Sequence, residues 1–196
     1  MLLVWGLVGI VVVRSAVRLR WRPVSRMAAC IGLGWVVLGT LMLADMGAQV
    51  IKIEPPGGDN LRKYPSTLES ESRAFLGINR SKLGVVLDLK QPEGVAALRK
   101  LVDSADVLVH NFRPSVPPRL GIDYEQFRLT HPRLIYCALS GYGDHGAMKE
   151  NAGYDQVLQS LTGVCALQGR ASPDIVYGSI VDWFGGAWVA TGVVGG

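Results

Sequence analysis

The sequence predicts an α/β protein built on a mostly parallel sheet covered by helices. Two observations predict it. Short β-branched runs alternate with segments whose apolar residues recur at helical spacing, the pattern of strands in a helix-covered parallel sheet. The polar, turn-forming clusters "PPGGDN", "NFRPS" and "SGYG" follow the strand runs, where the ligand crevice of such a sheet lies, beyond the strands' carboxyl ends.

The elements follow in order. "VIKIE" (50 to 54) reads as a strand entering the loop "PPGGDN". "GVVLDL" (84 to 89) is a second strand, and "PEGVAALRKLVDSA" (92 to 105) has proline in a helix first turn and apolar residues at helical spacing. "DVLVHNF" (106 to 112) is a third strand, and the proline-rich "RPSVPPRLG" after it reads as irregular. "DYEQFRLTH" is a short helix with an acidic start, "RLIYCALSGYG" a fourth strand running into glycines, and "WFGGAWVATGVV" a closing helix.

The first 44 residues break this pattern. "MLLVWGLVGIVVV" is uncharged, the next segment is rich in arginine, and the chain is uncharged again from Met27 to Ala44. Each apolar run falls short of the roughly 20 residues that span a bilayer. Two readings stand side by side: a signal anchor with its arginines on the cytoplasmic side, or a start assigned upstream of the true one. The expected organisation is an atypical segment 1–40, with membrane contact as its minority reading, and a domain 41–196.

Charge and cysteine usage narrow the function. The formal charge is +4, but Arg14, Arg18, Arg20, Arg22 and Arg26 precede the first acid, and the remaining 15 basic and 16 acidic side chains leave a net of −1. No basic stripe suited to a nucleic-acid backbone remains. Cys30, Cys137 and Cys165 are odd in number and set in apolar surroundings, which reads as reduced core thiols in a cytoplasmic protein. His110, His131 and His145 lack metal-ligand spacing. Neither the phosphate-loop pattern G-x-x-x-x-G-K-[ST] nor the serine-hydrolase elbow G-x-S-x-G occurs.

One stretch carries a chemical question. "YGSIVDWFGG" (177 to 186) sets a lone carboxylate, Asp182, between an apolar run and two glycines. On residue type alone it reads as a helix cap, since aspartate is favoured there. Yet "LADMGAQVIKIEPPGGD", "NRSKLGVVLDLKQPEG", "ADVLVHNFRP", "PRLIYCALSGYG", "AGYDQVLQSLTG" and "SIVDWFGG" together resemble the class III CoA-transferases, the family of formyl-CoA transferase, carnitine CoA-transferases and α-methylacyl-CoA racemase. The resemblance runs from about residue 40 to residue 190, in the family's order and spacing, and covers the N-terminal half of the family's pattern.

The resemblance implies a Rossmann-like doubly wound sheet, the incomplete large domain of such an enzyme. It implies that Asp182 is the nucleophile. A thioester is activated enough for a bare carboxylate to attack, giving a mixed anhydride and then an aspartyl-CoA thioester before a carboxylic acid takes up the CoA. Coenzyme A enters as substrate, with no prosthetic group. By the same resemblance Asn111, Phe112 and Arg113 line the nucleotide pocket, Leu87, Asp88, Leu89 and Lys90 flank the adenine, and Arg119 approaches the phosphates. Gly185 and Gly186 are expected to let backbone approach the thioester. Racemases of this family carry histidine where this chain has Tyr154, and a phenol with an ordinary pKa of about 10 is a poor acid–base group near neutrality. Tyr154 therefore favours transfer over racemisation. Asp155 reads as a structural helix-start acid.

The resemblance also implies a homodimer of interlocked chains. It departs from the family at "RMAACIGLGWVVL", which lacks the acid and proline of the family's opening strand and loop. The first strand is therefore expected to be missing or replaced. A non-catalytic CoA-binding fragment is the alternative function.

Overall fold

The structure, a computed structural model, describes residues 27–31, 34–168, 172–176 and 178–196. Five parallel strands form one sheet in the order β3-β2-β1-β4-β5. They are β1 (Met27–Ile31), β2 (Gln49–Glu54), β3 (Lys82–Val86), β4 (Val107–His110) and β5 (Ile135–Ala138). The chain works outward from β1 to β3, then returns to β4 on the other side of β1. The carboxyl ends of β1 and β4 thus flank the point where strand order reverses, the usual ligand crevice of a doubly wound sheet.

The central strand corrects the reading of the N-terminal half. Met27–Ile31 forms β1, paired with both β2 and β4, so the strand expected to be lost is the middle of the sheet. The boundary expected at residue 40 falls inside helix α1 (Trp35–Asp45). Nine of the eleven residues of α1 are buried. A helix apolar all round needs cover on every side, and α1 finds it between the sheet, α2 (Arg73–Asn79) and α8 (Ile180–Gly195). The uncharged run from Met27 to Ala44 therefore divides into a strand and a buried helix about 16 Å long, half a bilayer's hydrocarbon depth. Among the described residues no helix is long and apolar enough to cross a membrane. The anchor reading of residues 1–26 lies outside the described residues.

The core has two halves, one on each face of the sheet. Val36 and Leu43 of α1, Val50 of β2, Val107 and Val109 of β4, and Val189 and Val193 of α8 form the first. Ile53, Leu108, Phe112, Ile122 and Phe127 form the second with Leu98 and Val102 of α3 (Pro92–Val102). Val107 and Val109 face one way and Leu108 the other, as the two-residue period of a strand requires. The proline-rich stretch after β4 holds a short helix, α4 (Val116–Leu120), in place of the irregular segment expected. Pro117 and Pro118 stand in its first turn, where the missing N–H costs no helical bond. It is followed by α5 (Tyr124–Thr130), and the chain reaches α8 through α6 (Asp155–Leu161) and α7 (Val164–Gln168).

Glycine sets the spacing of α1 and α8. A methyl placed on Gly39 would lie 2.7 Å from Val189 and 2.8 Å from the Gly186 carbonyl, and one on Gly186 would lie 2.8 Å from Leu38 and 3.0 Å from the Gly39 nitrogen. One placed on Gly185 would meet the Trp35 ring at 2.7 Å. Gly185 and Gly186 are thus packing residues against α1, which corrects the expectation that they face a thioester. Contacts climb both helices together, Gly34 with Asp182, Trp35 with Gly185, Gly39 with Val189. The helices run parallel and their N-termini meet.

Gly186→Ala forces backbone apart and should cost about 1–3 kcal/mol, the usual range for overpacking. Gly77→Ala in α2, with open space around the new methyl, should be neutral or stabilising by about 0.5–1 kcal/mol. Urea midpoints of the two variants test the crossing; equal midpoints would mean that the helices separate freely.

Candidate active site

Asp182 stands in the first turn of α8, half-buried, at the joint of two helix N-termini. It does not cap its helix. The N-cap is Ser179, which makes no side-chain cap bond and holds a left-handed backbone at φ 54°, a strained choice for a residue with a Cβ. The capping acceptor arrives from elsewhere. Asp155 Oδ1 accepts the N–H of Val181 at 2.8 Å and of Asp182 at 3.1 Å. Its other oxygen accepts from Gln159, a fully buried side chain that exchanges two further bonds with the backbone of Val176, at 3.0 and 2.8 Å. Asp155 opens α6 as the sequence suggests, but its larger role is to fix the start of α8.

The Asp182 carboxyl is thereby turned toward α1. A methyl on Gly34 would lie 2.6 Å from its Oδ1 and 2.9 Å from its Oδ2, so the carboxyl rests on the bare backbone that opens α1. Burial, and then the neighbouring Asp155 charge, push its pKa up to about 6, against a smaller pull from the Trp35 indole. That pull stops short of a formed hydrogen bond, since the buried Trp35 Nε1 has no partner in hydrogen-bonding geometry. Three sequence motifs converge around Trp35. Gly185 touches its ring, Gly141 of "SGYG" lies under the ring's far edge, and Gly141 packs backbone to backbone on Gly153 of "AGYD". Tyr154 is exposed.

The residues assigned to CoA separate into two groups. The loop after β4 carries Asn111, Phe112 and Arg113 and leaves the sheet beside β1, the strand that leads to Gly34. Leu87, Asp88, Leu89 and Lys90 follow β3, three strands away from β4 and therefore roughly 14 Å across the sheet. Leu87 and Leu89 nevertheless pack on the same apolar cluster as Phe112. Phe112 is only 8% exposed, which corrects its assignment as a pocket-lining ring: it is a core side chain. Asp88 accepts the backbone N–H of Lys90 at 3.0 Å and so shapes that turn. Arg113 is exposed. Arg119 spends its Nε on the Ser115 carbonyl at 3.1 Å, and Glu150 holds the Ser115 hydroxyl at 2.7 Å. A surface depression lined by Asp103, His131 and Arg133 lies at the opposite, amino-terminal edge of the sheet and is no part of this site.

Two polar clusters shape the loops at the strand ends. Lys52, buried on β2, is bonded to Asp59 and, at 3.0 Å, to Asn79. Glu54 takes both Arg62 Nε at 2.9 Å and Arg62 Nη2 at 3.0 Å. Burial alone would raise the Glu54 pKa, but the Arg62 and Asp59 hydrogen bonds and the Lys52 charge hold it below the ordinary value. At the end of β4, His110 is 2% exposed, and burial lowers its pKa to about 4. Its Nδ1 accepts the Phe112 N–H at 3.2 Å, so the proton of the neutral ring sits on Nε2 and is donated to Tyr136 Oη at 2.7 Å. Tyr136 in turn donates to the Ile122 carbonyl at 2.9 Å. His110 thus fixes the backbone of the Asn111–Arg113 loop. Sequence reasoning did not assign this role, nor those of Trp35 and Asp155, because the deciding partners, Tyr136 for His110, Gly185 for Trp35 and the start of α8 for Asp155, are remote in the chain.

A doubly wound parallel sheet with a half-buried carboxyl at its switch point defines the class, an α/β protein of the doubly wound kind. A family model described as CoA-transferase family III matches residues 30–195, and the chain belongs to that family. It is 42% identical over 137 residues to a succinate–glutarate CoA-transferase of Agrobacterium fabrum, covering 66% of this chain and 34% of that protein. It is 40% identical over 159 residues to an acetyl-CoA:oxalate CoA-transferase of Acetobacter aceti, covering 79% and 41%. The crystal structure of a CAIB/BAIF family protein from Brucella suis superposes with a TM-score of 0.77 at 32% identity, over 82% of this chain and 44% of that one. The chain spans less than half the length of these relatives.

Asp182 and His110 give stability windows of opposite sign. Asp182 is neutral in both states below pH 3.8, its ordinary value; between 3.8 and about 6 only the unfolded chain ionises, so stability falls as pH rises. Asp182→Asn should therefore leave stability unchanged near pH 3 and raise it above pH 6 by about 1–2 kcal/mol after discounting for partial solvent screening. His110 behaves in reverse. Its contribution is full above pH 6.5 and is lost as pH falls toward about 4, some ~3 kcal/mol in all. His110→Gln should flatten that acid limb. Urea titrations from pH 3 to 8 read both, and a wild-type acid limb surviving in His110→Gln would remove His110 from the account.

Proposed function

We propose that this chain carries the nucleophilic half of an acyl-CoA:carboxylate CoA-transferase, with Asp182 as the nucleophile. The observation that carries the reading is that the Asp182 carboxyl is released from capping by Asp155 and pressed onto the glycine backbone at the start of α1. The ionised carboxylate attacks the thioester carbonyl carbon, the C–S bond breaks, and CoA leaves as thiolate with its electron pair. The thiolate then adds to the Asp182 carbonyl of the anhydride and expels the first acid, leaving an aspartyl-CoA thioester. An incoming carboxylate reverses both steps and departs as the new CoA ester.

The environment favours this course. Burial and the Asp155 charge disfavour an anion at Asp182; the anhydride and the thioester are uncharged at that carbon, so the same environment favours the covalent states. A raised proton affinity also makes the carboxylate a better nucleophile once it is ionised. No general base is called for, which suits a site where Tyr154 stands in the place of the racemase histidine. Arg113 and Lys90, exposed on strand-end loops, supply cations for the phosphates of CoA, with Arg119 behind them. Leu87, Leu89 and the Asn111–Phe112 backbone form the wall between them. The named relatives handle succinate, glutarate and oxalate, and short dicarboxylic acids are the acceptor class that we assign. Homodimer assembly belongs to the same reading, supported by the exposed Trp183, Phe184 and Trp188 on the outer face of α8.

The test is intact-protein mass spectrometry after incubation with succinyl-CoA or acetyl-CoA, with hydroxylamine to trap an activated carboxyl group and peptide mapping to place it. A hydroxamate on Asp182 is expected, absent in Asp182→Ala, with CoA binding retained. Its yield rate should climb with pH through about 6 and then level, because only the ionised carboxyl attacks. Arg113→Ala should weaken CoA binding by about 1.5–3 kcal/mol, the worth of a charged hydrogen bond. A folded wild-type chain that binds CoA yet never yields the hydroxamate identifies a binding module instead.

A further inference from the structure

Trp35 Nε1 is the one buried side-chain nitrogen or oxygen among the described residues that lacks a hydrogen-bond partner. Leaving such a donor unpaired costs about 1–3 kcal/mol. Indole offers a single donor and no acceptor, so nothing else in the side chain offsets that cost. An apolar ring would fill the same space without it.

The surroundings show where the donor is used. Trp35 is the first residue of α1, 7% exposed, with Gly185 of α8 against its ring and Gly141 under its far edge. Its neighbour Gly34 touches both oxygens of Asp182. The unpartnered indole therefore belongs to the residue that follows Gly34 and packs on Gly185, three positions beyond Asp182, which sets it beside that carboxyl. An unpaired donor beside a carboxyl is suited to an oxygen that moves or gains charge during reaction.

We propose that the Trp35 indole N–H is the hydrogen-bond donor to the Asp182 oxygen that remains a carbonyl when Asp182 is acylated. This role rests on the nucleophilic reading of Asp182. When the CoA thiolate adds to the Asp182 carbonyl carbon of the anhydride, the C=O π pair moves onto that oxygen. The indole N–H then faces a full negative charge, keeps its proton, and releases the charge again as the C–O bond to the departing carboxylate breaks. The aspartyl-CoA thioester leaves the same oxygen as an ordinary carbonyl, and the return half of the cycle uses the donor a second time.

Few charged groups compete at this point. Asp155 at the start of α6 faces the same helix joint, with its carboxylate committed to two backbone N–H groups and to Gln159. Asp182 is the sole charged side chain of α8. On α1 the only one is Asp45, at the far end, where it is bonded to Arg80.

Two measurements on the full chain test the role separately from transfer. The first follows the indole ¹⁵N–¹H resonance of Trp35, assigned by its loss in Trp35→Phe, between pH 4 and 8. It is expected to shift with a midpoint near the Asp182 value of about 6 and to stand still in Asp182→Asn. A resonance that does not move in the wild-type chain overturns the proposal, whether or not the chain transfers CoA. The second compares the rate of hydroxamate formation on Asp182 from succinyl-CoA. Trp35→Phe should slow it by about 10²–10³-fold, the usual cost of one oxyanion donor, with CoA affinity unchanged; an equal rate overturns the proposal. If wild-type Asp182 is never acylated while the indole still titrates with it, the transferase reading falls and the donor contact stands.

Discussion

The close, parallel crossing of α1 and α8 is the constraint on which the site depends. Gly39 and Gly186 let the two backbones approach, and side chains at either position would push them apart. Because the helices run in the same direction, this approach brings both N-termini together over the carboxyl end of β1. Asp182 and Gly34 are neighbours only for that reason. The positive ends of two helices would ordinarily stabilise an anion there. Burial and the neighbouring Asp155 charge act in the opposite sense and raise the carboxyl pKa.

Asp155 links local stability to that balance. By accepting two N–H groups of α8 it supplies the cap that Ser179 does not, and by lying close to Asp182 it places a second negative charge beside the first. A single residue thus orders the helix and disfavours the charge of its reactive side chain. Gln159 and Val176 complete the arrangement by holding Asp155 from behind. The strained φ of Ser179 and the unpaired indole of Trp35 both lie at the helix joint that holds the same carboxyl. Local rules of stability are broken here together, as happens where function competes with folding.

The loops at the strand ends are held by buried polar groups of a different kind. Lys52 with Asp59 and Asn79, and Glu54 with Arg62, fasten the turn after β2, while His110 and Tyr136 fasten the turn after β4. Each buried polar atom in these clusters finds a partner, which is the condition for such groups to order a loop at tolerable cost. The fixed loops leave Lys90 and Arg113 on the exposed rim and sink Phe112 into the core beneath it.

By itself the sequence determined the α/β class, the strands β2 to β5, the helices α3, α5 and α8, and Asp182 as the residue of interest, because periodicity and turn chemistry are local properties. The central strand stayed hidden. Met27–Ile31 and all but the last residue of α1 form one uncharged run, and neither the middle strand of a helix-covered parallel sheet nor a helix apolar all round carries a polar face to reveal its period. The roles of Phe112, Gly185 and Gly186 were misplaced because a motif shows which residues occur together and not which way they face. Only the tertiary structure decided what surrounds Asp182, since its cap, its glycine floor and its indole neighbour lie 27, 148 and 147 residues away in the chain. Those contacts exist because two helices were brought to one strand end, and no local pattern encodes that meeting.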